Sequence, residues 1–104
     1  MATSKQYLND ILGQLAAVEG ITHRAMMGEY IIYYQGKVIG GLYDDRFLVK
    51  LTRGSKALLP DAPEQIPYEG AKPMLSISDI IFDSHPENTD LFQRLFTAIL
   101  NDLK

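Results

Sequence analysis

The spacing of apolar positions changes twice along the chain. Near the N-terminus Leu8, Ile11, Leu12, Leu15 and Val18 recur every three or four residues, the spacing of one helical face. Thr3 and Gln6 match a capping box ahead of that stripe. Gly20 supplies its stop, because glycine accepts the left-handed conformation at a helix end. Gly13 lowers helix stability by roughly 1 kcal/mol relative to alanine, which points to close packing there. Residues 21–26 read as a lead-in strand and Gly28 as a bend. The period then falls to two. Residues 30–34, 37–43 and 46–51 are rich in aromatic and β-branched side chains, and Gln35-Gly36 and Asp44-Asp45 between them are hairpin-turn length.

Beyond residue 51 the pattern loosens. Residues 52–59 predict a short helical turn starting near Ser55 and ended by Pro60. Pro60, Pro63 and Pro67 define a loop, Tyr68-Glu69-Gly70 a turn, and residues 74–77 a further strand. Leu91, Phe92, Leu95, Phe96, Ile99, Leu100 and Leu103 restore the helical spacing. Asn88 or Thr89 caps that helix, and Asp90 suits the positive end of its dipole. Helix, antiparallel strands, loop and helix together predict a single α+β domain over residues 1–104. It has two layers, with the N- and C-terminal helices packed on one face of the sheet.

Strand parity then assigns the faces. With two-residue loops at both hairpins, Tyr34 faces Lys37, Tyr33 faces Val38, Tyr43 faces Arg46 and Leu42 faces Phe47. One face collects Ile31, Tyr33, Val38, Gly40, Leu42, Phe47, Val49 and Leu51, and is expected to receive the helices. Phe47 and Phe96 are expected to meet in the core. The other face carries Tyr30, Ile32, Tyr34, Lys37, Ile39, Gly41, Tyr43, Arg46, Leu48 and Lys50. It is either a solvated outer face or a contact surface, since aromatics and arginine are favoured at interfaces. As a contact surface its simplest partner is a second copy of the chain.

Composition narrows the choices. A chain of 104 residues suffices for one core. Without cysteine it has neither disulfides nor thiolate metal sites, which suits a reducing compartment. No signal-peptide pattern opens the sequence, and no apolar run reaches the roughly 18 residues of a membrane span, so a cytoplasmic location is expected. The net charge of −3 argues against autonomous nucleic-acid binding, although Lys37, Arg46 and Lys50 form a potential local basic patch.

Catalytic constellations are hard to assemble. His23 and His85 stand alone, and His85 sits beside Pro86 in a polar stretch. Asp44-Asp45 is explained by a turn, and Asp79 and Asp83 flank an apolar run without a partner motif. Gly40-Gly41 precedes no phosphate-loop helix and instead suggests room for bulky neighbours such as Tyr30 and Ile31. The expectation is a protein that is not an enzyme and uses no cofactor or metal.

Residues 24–50 resemble the N-terminal domain of the TfoX/Sxy family, bacterial regulators of natural competence. The matching residues are Arg24, Met26, Met27, Gly28 and Tyr30, then Tyr33, Gly36 and Lys37, then Asp45, Arg46, Leu48 and Lys50. Tyr68-Glu69-Gly70 and Lys72-Pro73-Met74 are similar to its second, looser motif. Met27 replaces the family's usual Phe and Glu29 its usual Gly. Larger members carry a second, helical C-terminal domain, so a stand-alone N-terminal domain is expected here. The resemblance implies a secretion-chaperone-like two-layer fold. It also implies transcriptional coactivation through a protein partner such as a cyclic-AMP-receptor-type regulator. The alternative is a small ligand-binding or chaperone-like module using the tyrosine-rich face or the loop of residues 60–73.

Overall fold

The computed structural model describes residues 3–82 and 88–103. The chain runs α1 (Lys5–Gln14), β1 (Ile21–Met26), β2 (Glu29–Tyr34), β3 (Lys37–Leu42), β4 (Phe47–Lys50) and α2 (Arg53–Leu58). It continues through β5 (Glu64–Gln65), β6 (Met74–Ser76), α3 (Ser78–Ile81) and α4 (Asn88–Asp102). The strands form one antiparallel six-stranded sheet in the order β1-β2-β3-β4-β6-β5. With its helices this is the expected α+β arrangement. Met27-Gly28, Gln35-Gly36 and Asp44-Asp45 each have positive φ at both positions, the hairpin conformation that matches strand twist.

The helix ends differ from expectation in informative ways. Ser4, not Thr3, caps α1, its hydroxyl accepting the Tyr7 N–H at 3.1 Å. Thr3 is buried and donates its hydroxyl to the Leu42 carbonyl at 3.1 Å, a partner from the sheet that a local motif does not reveal. Gly13 is exposed, with no neighbouring atom within 4 Å of where a side chain would begin, so close packing does not explain it. Thr52 and Ser55 form a reciprocal capping box that starts α2 two residues before Ser55. Asp102 ties α4 to α2 by accepting the Gly54 N–H at 2.7 Å, which with Thr52 and Arg53 holds its carboxyl below the usual carboxylate range. Helix α3 was not anticipated. Its first residue, Ser78, accepts the Phe47 N–H at 2.9 Å and so continues the edge of β4. Helix α4 already includes Asn88 and Thr89, so its capping position, like Asp83 and His85, falls outside the described residues.

The core lies between the sheet and the helices. Leu8, Ile11 and Leu15 of the N-terminal segment and Phe92, Leu95, Phe96 and Ile99 of α4 pack on Ile32, Ile39, Leu42, Phe47 and Val49. Phe47 and Phe96 are both fully buried, with ring centroids 6.5 Å apart, as expected. Much of the remaining face assignment is reversed. Tyr33 pairs with Val38 and Leu42 with Phe47 as the hairpins require, yet these pairs lie on opposite faces. The cause is a β-bulge. Tyr33 opposes Val38 but Ile32 opposes Gly40, leaving Ile39 as the extra residue and flipping the alternation halfway along β3.

Ile32, Tyr34 and Ile39, expected on the open face, are therefore core residues, with Tyr30 packed beside them. The Tyr34 ring lies 5.8 Å from Phe96, and its hydroxyl is 3.3 Å from that of Thr97. Ile31, Tyr33 and Val38, expected under the helices, belong to the opposite face, and Leu51 is exposed. Gly40 marks the bulge, because a side chain there would run into the Leu48 carbonyl and Val49 Cα of the adjoining strand. At Gly41 the obstacle is the Tyr43 ring, 2.8 Å from where a Cβ would stand. Tyr30 lies opposite Leu42, and Ile31 lies opposite Gly41.

Candidate functional site

The open face of the sheet has a small core of its own. Ile31, Tyr43 and Leu48 are buried there beneath half-covered Tyr33, Val38 and Met74. Part of the cover comes from the segment after β5, whose Tyr68 ring lies 6.1 Å from that of Tyr43. Arg46 holds this segment down. Its guanidinium donates to the Tyr43 carbonyl at 3.1 Å, the Gln65 side chain at 3.2 Å, and the Ile66 and Pro67 carbonyls at 3.4 and 3.3 Å. Expected as part of a basic rim, Arg46 is instead a clamp on the main chain. Burial first, and the neighbouring Tyr68 and Glu29 next, push the Tyr43 hydroxyl above the ordinary phenol range.

A second clamp secures the N-terminal segment. The Glu29 carboxylate accepts the backbone N–H groups of Thr3 and Asp44, each at 2.7 Å. Asp45 accepts the Ser4 N–H at 2.9 Å, and its own N–H reaches the Thr3 hydroxyl at 3.3 Å. Charge-assisted hydrogen bonds of this kind are stronger than neutral ones. Asp44 and Asp45 thus form a turn whose carboxylate and amides fasten the entry to α1.

Two grooves flank Tyr68. The first, about 550 Å³, is lined by Met26, Met27, Tyr43, Pro67 and Tyr68, with Glu29, Asp44 and Arg46 among its polar groups. The second, about 520 Å³, lies against Val38, Tyr43, Tyr68 and Met74 and includes Lys50 and Lys72. Of the residues expected to share one interaction face, Tyr43, Leu48, Arg46 and Lys50 do gather here. Lys37 is exposed at the β2–β3 turn, and Tyr30, Ile32, Tyr34 and Ile39 lie on the helix side. Tyr33, Val38, Tyr68, Lys72 and Met74 were absent from that expected face. The Gly40-Gly41 pair was the available signal, since glycine inside a strand often marks a bulge. At the exposed edge strand, Arg24 sits 6.0 Å from the Tyr33 ring centroid and His23 lies 6.2 Å from the Tyr30 ring. Among the described residues no helix is long and apolar enough to cross a membrane. Nor do three His, Cys, Asp or Glu side chains converge to hold a metal ion among them.

Fold and site together define a small α+β domain with one sheet face under helices and the other shaped into loop-walled grooves. The model of the TfoX N-terminal domain matches residues 13–96, and the chain belongs to that family. It is also similar to an uncharacterized 12.7 kDa protein in the trpE 5′ region of Spirochaeta aurantia. The two are 30% identical over 99 residues, covering 95% of this chain and 85% of that protein. No solved structure matches the chain.

Proposed function

We propose that this is a non-enzymatic regulatory domain of the cytoplasm that acts by binding a protein partner through the methionine-lined groove. The observation that carries this reading is the exposure of large apolar side chains around that groove. Met27 is 97% exposed, Tyr68 63% and Met26 50%. Met27 also holds a positive φ of 53° at the tip of the β1–β2 turn, where glycine or asparagine suits the backbone better. Local folding preference therefore does not account for an exposed methionine there. Methionine adapts its shape to varied apolar partners, and aromatic residues and methionine are enriched at protein interfaces. Family membership supports a transcriptional setting, with a cyclic-AMP-receptor-type regulator as the partner class to try first.

The test is direct binding of a purified cyclic-AMP-receptor-type protein from the same cell, measured with the wild type and with a Met26→Ser/Met27→Ser variant. Both residues are exposed, so the variant keeps its thermal midpoint while losing binding by at least tenfold. Equal binding by both proteins would remove the groove from the reading. No binding by the wild type would remove this partner. Light scattering of the wild type at high micromolar concentration tests the symmetric alternative, in which a second copy fills the groove.

A further inference from the structure

The second groove differs from the rest of the surface in charge. The protein carries 13 Asp and Glu against 10 Lys and Arg, yet among the described residues no carboxylate lines this groove, while Lys50 and Lys72 both do. Other hollows carry acids in their walls: Glu29 and Asp44 in the first groove, Asp90 in a shallow one along α4, and Asp61 and Asp79 in one between the end of α2 and α3. The cations of the two sheet-face grooves are also in different states. Arg46 is engaged by main-chain carbonyls, whereas neither Lys50 nor Lys72 is in an ion pair among the described residues. Lys50 is half-buried, so its aliphatic stem belongs to the wall while its ammonium stays unpaired. Around the two lysines the lining is apolar and aromatic, from Val38, Tyr43, Tyr68 and Met74.

We infer that this groove binds a small amphipathic anion, with an aryl or alkyl body against Val38, Met74 and Tyr68 and a single carboxylate facing Lys50 and Lys72. The volume of about 520 Å³ falls within the roughly 300–1,000 Å³ typical of small-molecule sites. Predominantly apolar walls with a few polar groups that fix orientation are the usual composition of such sites. Two ammonium groups suit one carboxylate. A polyphosphate would call for arginine forks or a glycine-rich main-chain cradle, and neither lines the groove. A cationic ligand would find no counter-charge among the described residues of the wall. The inference extends beyond the protein-contact reading and rests on a separate groove. Tyr43, Pro67 and Tyr68 wall both grooves, so an occupant of the second would restrain one side of the first.

The experiment is an amide NMR titration of the full chain with 2-naphthoate, alongside 2-naphthylmethylamine and 2-naphthalenemethanol as cationic and neutral counterparts. The expected result is saturable binding of naphthoate that shifts the amides of Lys50, Tyr68, Lys72 and Met74. The two counterparts bind at least tenfold more weakly, and Lys50→Gln/Lys72→Gln lowers naphthoate affinity at least tenfold with the thermal midpoint unchanged. If the double variant does not fold, Lys72→Gln alone, in an exposed loop, carries the same comparison with a smaller loss. Three outcomes would overturn the inference: equal binding of the cation and the anion, shifts centred on Met26 and Met27, or no saturation in the millimolar range. An acidic peptide that shifts the same amides at lower concentration than naphthoate would reassign the groove to a protein partner. Because Met26 and Met27 do not line this groove, the lysine variants leave the partner test untouched, and the two readings fail separately.

Discussion

The two faces of the sheet start from similar material and are closed by different means. On the helix side Ile32, Ile39 and Phe47 are fully buried under long apolar stripes, and the contact continues through Leu95, Phe96 and Ile99. On the open side Ile31, Tyr43 and Leu48 are buried as well, but by strand neighbours and by one loop held through hydrogen bonds from Arg46. A helix presents several apolar side chains at once and leaves little space. A proline-containing loop offers Tyr68 and Pro67, and the space on either side of them remains as grooves. Burial of individual residues therefore does not separate a closed face from a grooved one. The kind of element that covers them does.

The largest effect that tests this comparison is expected at the bulge. Ile39→Asp places a charge in the helix-side core and should forfeit much of the roughly 5–15 kcal/mol that stabilises a domain. Circular dichroism should show a protein unfolded near room temperature. A folded Ile39→Asp protein would return Ile39 to the open face and erase the bulge. Phe96→Ala, on the same side, should cost roughly 3–5 kcal/mol in denaturant titrations. Val38→Ala, half-exposed across the sheet, should cost about 1 kcal/mol or less. Similar losses for the two would mean that the faces are equally packed.

The neighbouring glycines make a finer contrast. Gly40→Ala collides with the main chain of β4 and should destabilise by roughly 1–3 kcal/mol. Gly41→Ala meets the Tyr43 ring first, a side chain rather than main chain, so it should cost less and instead displace that ring from Tyr68, seen as altered tyrosine resonances around both grooves. The smallest effect concerns pH. Burial raises the hydroxyls of Tyr7 on the helix side and Tyr43 on the open side above the ordinary phenol value. Such groups support folding fully below the unfolded phenol value of about 10, and that contribution is lost as pH rises through the raised folded value. An ultraviolet titration should show late ionisation of Tyr7 and Tyr43, with Tyr43→Phe removing part of that late change. Early ionisation of Tyr43 would mean that the loop does not cover it.

Much of this architecture is local, and local features are legible in a sequence. The stripe of Leu8, Ile11 and Leu15, the stripe of Phe92, Leu95 and Phe96, and the turns at Gly36 and Asp44-Asp45 each follow from residues a few positions apart. The meeting of Phe47 with Phe96 and the family follow from those elements and the residues of the β-meander. The tertiary structure decided which strand face the helices cover. Alternation is a strict rule only while the ladder is regular, and one extra residue at Ile39 reverses it. It also decided that Arg46 and Glu29, ordinary surface charges in the sequence, hold a loop and the N-terminal segment through main-chain groups distant along the chain. Side-chain spacing does not encode such partners, because a carbonyl or N–H is offered by nearly every residue and only the folded path selects among them.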